Sequence, residues 1–163
     1  MGYQGAAFVL FRGHLSALNE GQTVHVFLLL RLPATPLAAS VARHAVAGLA
    51  PYLQPGVADN AQLLVSELVT NSVRHAGLPG EASIEFSVRA SAEVLMVEVA
   101  DGGNGFDHTA QPRRRRVLAG VAEPSGWGLY LVDRIADRWG AVQVEGETRV
   151  WFELSPGAAA ISA

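Results

Sequence analysis

The chain has 163 residues, half of them apolar and 17% charged, with 12 basic against 15 acidic residues and a net charge of −3. That is the length of one domain able to bury a sizeable core; the composition excludes a disordered chain, and the acidic balance argues against bulk electrostatic binding of nucleic acid. Cysteine is absent and every base is an arginine, which excludes disulfides, thiol catalysis, cysteine-ligated zinc and a phosphate-loop lysine.

Residues 1–23 are Gly-rich and weakly patterned, and are expected to form a loosely ordered extension. Val24–Leu32 is the longest strongly apolar run, at nine residues, and it contains Arg31. A membrane-spanning helix needs about 20. With no signal-peptide pattern at the start, the expected location is the cytoplasm, with no membrane partner. The run is expected to be a strand, stopped by Pro33 and Pro36. Leu37–Leu53 has Val41, Ala45, Val46, Leu49 and Leu53 at helical spacing and ends at Pro55-Gly56.

A second helix is expected from about Asp59 to Ala76, capped by Asp59 or Asn60. Ala82–Ala90 alternates Ile84, Phe86 and Val88, as a half-buried strand does. Val94–Asp101 follows as a second strand after the short turn Ser91-Ala92-Glu93. Asp107–Ser125 is a long stretch of low order. Gly128–Trp139 reads as a third helix through Leu129, Val132, Ile135, Ala136 and Trp139. Val142–Glu145 and Arg149–Leu154 close the chain as a hairpin around Gly146-Glu147, before a flexible tail at 156–163. Short turns between strands imply antiparallel pairing. The expected fold is α+β, a two-layer sandwich whose mixed, mainly antiparallel sheet is covered on one face by about three helices.

Three segments carry chemistry. Glu67 and Asn71 are four apart on the second helix and share a face, with His75 one turn further. Such a row is either a working site or a solvated polar stripe. The second strand ends in Asp101-Gly102-Gly103-Asn104-Gly105, where a carboxylate meets glycines that let a ligand approach the backbone. A plain Gly-rich turn reads the same way. Ser125-Gly126-Trp127-Gly128-Leu129 opens the third helix, whose free N–H groups suit an anion.

The order and spacing of these segments resemble the GHKL, or Bergerat-fold, ATPases, in which they are called the N, G1 and G2 boxes. The resemblance covers about Val24 to Leu154. Glu67-x-x-x-Asn71-x-x-x-His75-Ala76 looks most like the bacterial anti-sigma-factor serine kinases. The resemblance implies the Bergerat fold over a domain at 24–155. It implies a protein serine/threonine kinase that takes ATP and Mg²⁺, phosphorylates a small antagonist protein and binds a sigma factor. The apolar first strand and helix would either form a homodimer face, as in related kinases, or merely pack the core.

Residue by residue, Asn71 would ligate Mg²⁺ and Glu67 would be the general base. Asp101 would accept from the adenine amine, with Gly103 and Gly105 lining the nucleotide. Ser125, Gly126, Trp127, Gly128 and Leu129 would hold the phosphates, and Thr148 would help hold adenine. His75 would orient the site or pack the helix end. Asp107–Ser125 would be the lid over ATP, and its Arg113-Arg114-Arg115-Arg116 would meet phosphate, an acidic partner, or solvent. The family's kinases often carry a base near the G2 box, where Pro124 and Trp127 stand here. Two other readings stay open: a nucleotide-gated binding protein without phosphotransfer, and a detached histidine-kinase-like ATPase domain.

Overall fold

The computed structural model describes residues 26–75, 82–91, 93–102, 127–144 and 146–155. The elements in chain order are β1 (Val26–Pro33), α1 (Ala38–Ala47), a short 3-10 turn (Ala50–Tyr52), α2 (Val57–His75), β2 (Ser83–Ala90), β3 (Leu95–Asp101), α3 (Trp127–Ile135), β4 (Arg138–Val144) and β5 (Glu147–Leu154). The strands form one sheet in the order β1-β2-β3-β5-β4, and all four pairings are antiparallel. The parallel component allowed in the expected mixed sheet is not used among the described strands. Helices α1, α2 and α3 pack on one side, giving the α+β two-layer sandwich.

Alternation builds the sheet's inner face. Leu28, Leu30 and Leu32 of β1 meet Ile84, Phe86 and Val88 of β2, then Leu95, Val97 and Val99 of β3, then Val150, Phe152 and Leu154 of β5. Over them lie Ala38, Ala42 and Val46 of α1, and Leu64, Val65, Leu68 and Val69 of α2. Val132 and Ile135 of α3 complete the layer. Small alanines on α1 let that helix approach closely, and Arg43 reaches across to Ser66 of α2 at 3.4 Å.

Chain direction separates the two ends of the sheet. At one end β1 finishes against the start of β2, Pro33 opposite Ser83. There β3 also finishes and β5 begins, Asp101 opposite Thr148. α2 runs toward this end, since its last residue, His75, leads through residues 76–82 into β2. α3 runs away from it. After two residues α3 enters β4 at the far end, where the Asp137 N–H donates to the Glu153 carbonyl at 3.0 Å.

Several boundaries differ from the sequence expectation. The first helix does not run to Leu53: α1 ends at Ala47, and Gly48 and Pro51 lead into the 3-10 turn. α2 begins at Val57 because Gly56, at φ 83°, turns the chain and its carbonyl accepts the first helical bond from the Asn60 N–H at 3.1 Å. Asn60 is therefore inside the helix and buried, not a cap. The third helix stops at Ile135, because Arg138 and Trp139 pair with Glu153 and Phe152 of β5. The last hairpin does turn at Gly146, whose φ of 83° suits glycine, with β5 starting at Glu147.

Candidate functional site

The 19-residue helix α2 presents two adjacent stripes. Val65, Leu68, Val69 and Ser72 follow one another at helical spacing and are buried toward the sheet. Glu67 and Asn71, one position off that stripe and four apart, are half-buried at its border. The pairing read from sequence thus stands on one helix face, along the edge of the core rather than out in solvent. His75 is the last residue of the same helix.

The sheet supplies the opposing wall. Ile84, Asp101, Thr148 and Gln143 are mutually aligned across β2, β3, β5 and β4. Asp101 continues the inward row Leu95, Val97, Val99, so it lies on the helix-covered face, 7% exposed. Thr148 stands directly opposite and is 4% exposed. The Thr148 hydroxyl oxygen is buried and has no hydrogen-bond partner among the described residues. Native structures leave few buried polar atoms unpaired, and the penalty for such a group is about 1–3 kcal/mol. An orphaned hydroxyl beside a buried carboxylate, at the end of the sheet toward which α2 runs, is the donor and acceptor set that a polar heteroaromatic edge would complete.

The start of α3 points back to this same end. Trp127 and Gly128 form the helix's first residues, and Leu129 packs partly against the core. Gly103, Gly105, Gly126 and all of Asp107–Ser125, including Arg113–Arg116 and Ser125, lie outside the described residues, as do the extension at 1–23 and the tail at 156–163. Among the described residues no cluster of three or more His, Cys, Asp or Glu could hold a metal ion. A metal here would take its protein ligand as the single amide oxygen of Asn71, a hard donor of the kind magnesium accepts beside phosphate and water. Among the described residues no helix is long and apolar enough to cross a membrane.

Two polar residues were not read from the sequence as part of the core. Ser72 is 8% exposed on the sheet-facing stripe, and Asn60 is buried two turns before Glu67, its amide nitrogen without a partner among the described residues. The available signal was a polar residue at a position whose helical neighbours, Leu68 and Val69 for Ser72, are core.

The fold is that of an α+β module of the histidine-kinase ATPase type. The chain belongs to the histidine kinase-like ATPase domain family, whose model matches residues 32–154. The serine-protein kinase RsbW of Listeria innocua is 29% identical over 127 residues, covering 71% of this chain and 78% of that protein. Its counterpart from Listeria monocytogenes matches to the same extent. Among solved structures, the RsbU and RsbW domains of Rv1364c from Mycobacterium tuberculosis superpose with a TM-score of 0.55 at 17% identity. That match covers 77% of this chain and 31% of the other, and it shows the fold. The family likeness read from the N, G1 and G2 boxes is therefore confirmed.

Proposed function

We propose that this chain is an ATP-dependent protein serine/threonine kinase of the anti-sigma-factor type. It transfers the γ-phosphate of ATP to a small antagonist protein and binds a sigma factor. The observation that carries the reading is the unpartnered Thr148 hydroxyl aligned with buried Asp101, at the end of the sheet toward which Glu67 and Asn71 run on α2. The names of the relatives from Listeria support the kinase class.

In this reading Asp101 accepts a hydrogen bond from the adenine amine, which excludes guanine, whose carbonyl stands at that position. Thr148 closes the same edge. Asn71 offers its amide oxygen to Mg²⁺, which when bound neutralises phosphate charge. Glu67, one turn earlier on the same face, takes the proton from the attacking serine hydroxyl. Transfer of this kind depends chiefly on positioning and charge neutralisation, and a helix that fixes both groups supplies the positioning. The first residues of α3 offer backbone N–H groups to phosphate.

Replacing Glu67 by Gln tests the chemistry. Gln keeps the shape and leaves Asn71 in place, so ATP should bind about as before. Single-turnover transfer to the antagonist should fall by about 10²–10⁴-fold, the usual contribution of a general base. Full transfer by the variant would remove Glu67 from that role. One observation favours a second reading, nucleotide-gated binding without transfer: Pro124 and Trp127 occupy positions where a base is expected. In that case the wild type binds ATP and its partner but transfers nothing.

A further inference from the structure

Among the described residues, the Thr148 hydroxyl and the amide nitrogen of Asn60 are buried without a partner. Thr148 belongs to the sheet wall already assigned. Asn60 stands in the first turn of α2, at the other end of the sheet from that wall, and is 7% exposed. Native proteins leave few such groups unpaired, and each one calls for a reason. Capping α2 is not the reason. The Asn60 backbone N–H already donates to the Gly56 carbonyl at 3.1 Å, so the residue lies inside the helix.

Helical spacing says what Asn60 faces. At about 100° per residue, Asn60, Leu64 and Asn71 lie within about 40° of one another around α2, and Ser66 lies about 120° from Asn60. Ser66 is on the α1 side, since Arg43 of α1 reaches it. α1 lies beside β1 at one edge of the sheet, α3 beside β4 at the other, and α2 between them over β3. The flank that carries Asn60 therefore turns toward α3. The two helices run in opposite directions, so the first turn of α2 lies alongside the last turn of α3. A helix ends in carbonyls that its own N–H groups do not serve. In α3 the Ala136 N–H still reaches the Val132 carbonyl at 2.9 Å, but the Asp137 N–H leaves for Glu153 of β5. Ala136, Asp137 and Arg138 follow the helix, with no glycine to fold the chain back over its last carbonyls.

A stranded donor thus lies beside a helix end that lacks donors. The same helix touches the ligand end. Its first residues, Trp127 and Gly128, are those assigned above to phosphate, and its last turn is about 12 Å away. We propose that Asn60 is a positioning residue for nucleotide binding: its amide N–H donates to a carbonyl of the last turn of α3 when phosphate draws in the first turn. The proposal rests on the ATP-site reading above. In the arrangement of the present structure the bond is unmade. In the arrangement that nucleotide favours it forms, and α3 is seated at both ends. A ligand shifts such an equilibrium only through contacts that differ between the two arrangements. Phosphate supplies that difference at one end of α3 and Asn60 adds to it at the other. Part of the affinity for ATP is then set at a place the nucleotide never touches.

The test pairs calorimetry with heteronuclear NMR on the full chain, with Mg·ATP as the probe. Asn60→Leu removes the donor at nearly the same volume. It should bind Mg·ATP about three- to tenfold more weakly than wild type, the range of one neutral hydrogen bond. Its urea midpoint without nucleotide should be unchanged or higher, since a stranded polar group is gone. In wild type, one proton of the Asn60 side-chain amide should move downfield when Mg·ATP is added, as a newly bonded N–H does. That reading needs no variant, so it decides the matter even if Asn60→Leu fails to fold. A lowered midpoint with unchanged ATP affinity would overturn the proposal, because it is the mark of a residue that serves only the fold. So would an Asn60 amide that stays in place while wild type binds Mg·ATP. If wild type binds no Mg·ATP, the ATP-site reading fails and this proposal with it, an outcome that the wild-type titration alone tells apart from the others.

Discussion

Thr148 and Arg149 are neighbours on β5, and they face opposite sides of the same sheet. Arg149 points to the open face. There it pairs with Glu98 at 2.9 Å and Glu147 at 2.7 Å, while Arg138 pairs with Glu153 at 3.3 Å. Further along that face Arg89 lies over the ring of Phe27 at 5.8 Å, and Arg31 donates to Ser83 at 3.0 Å. Polar groups on the open side thus find partners although water is available to them. Thr148 points to the helix side, where water is scarce and partners matter more, and its hydroxyl has none among the described residues. The open face pairs several of its polar groups, and the helix-covered face leaves a buried hydroxyl at the end of the sheet without a partner among the described residues. In the reading proposed above, this contrast separates a solvent-facing surface from a wall that takes a ligand.

The contrast can be broken first at the closed, apolar part of the inner face. Phe152 is fully buried opposite Val97 and Trp139. Phe152→Ala should cost about 3–5 kcal/mol in urea unfolding, the range for removing a buried aromatic ring. A loss below about 1 kcal/mol would mean that the core does not hold the two layers together at β5.

At the ligand end of the same face the sign should reverse. Thr148→Val keeps the shape and exchanges an unpaired hydroxyl for a methyl group. The ligand-free protein should be unchanged or up to about 1 kcal/mol more stable, because a desolvated polar atom is removed. Affinity for ATP should fall by about threefold or more. A destabilised variant would show that the hydroxyl serves the fold rather than a ligand.

The smallest effect belongs to the open face. Arg149→Ala removes two pairs whose side chains are about a quarter to two-fifths exposed. It should cost less than about 1 kcal/mol, as partly solvated pairs do, with ATP affinity unchanged in the same titrations. A marked loss of ATP affinity would mean that the two faces are coupled through β5.

The same division explains what could be read from the sequence. The alternation of Ile84, Phe86 and Val88 and the apolar spacing of α2 are local patterns, and both led to the observed elements. The Glu67–Asn71 face is equally local, since four residues make one helical turn. The end of α3 was not legible because Ile135, Ala136 and Trp139 also fit helical spacing. What ends the helix is pairing of Arg138 and Trp139 with Glu153 and Phe152, partners 13 or more residues away. Ser72 was missed for a related reason. A single serine on an apolar stripe gains meaning from the strands beneath it, and those come from β3 and β5. Asp101 and Thr148 were each singled out separately, but their alignment is a matter of register, which the sequence does not state.

The most direct test of the ATP site is a calorimetric comparison of Mg·ATP and Mg·GTP on wild type and on Asp101→Asn. A carboxylate accepts from the adenine amine and repels the guanine carbonyl, whereas an amide can also donate. The wild type should therefore bind ATP and discriminate against GTP. The variant should lose about 1.5–3 kcal/mol toward ATP, about 10- to 150-fold, and should narrow the gap between the two nucleotides. Equal affinities of wild type and Asp101→Asn for both nucleotides would contradict the assignment of this end of the sheet to adenine.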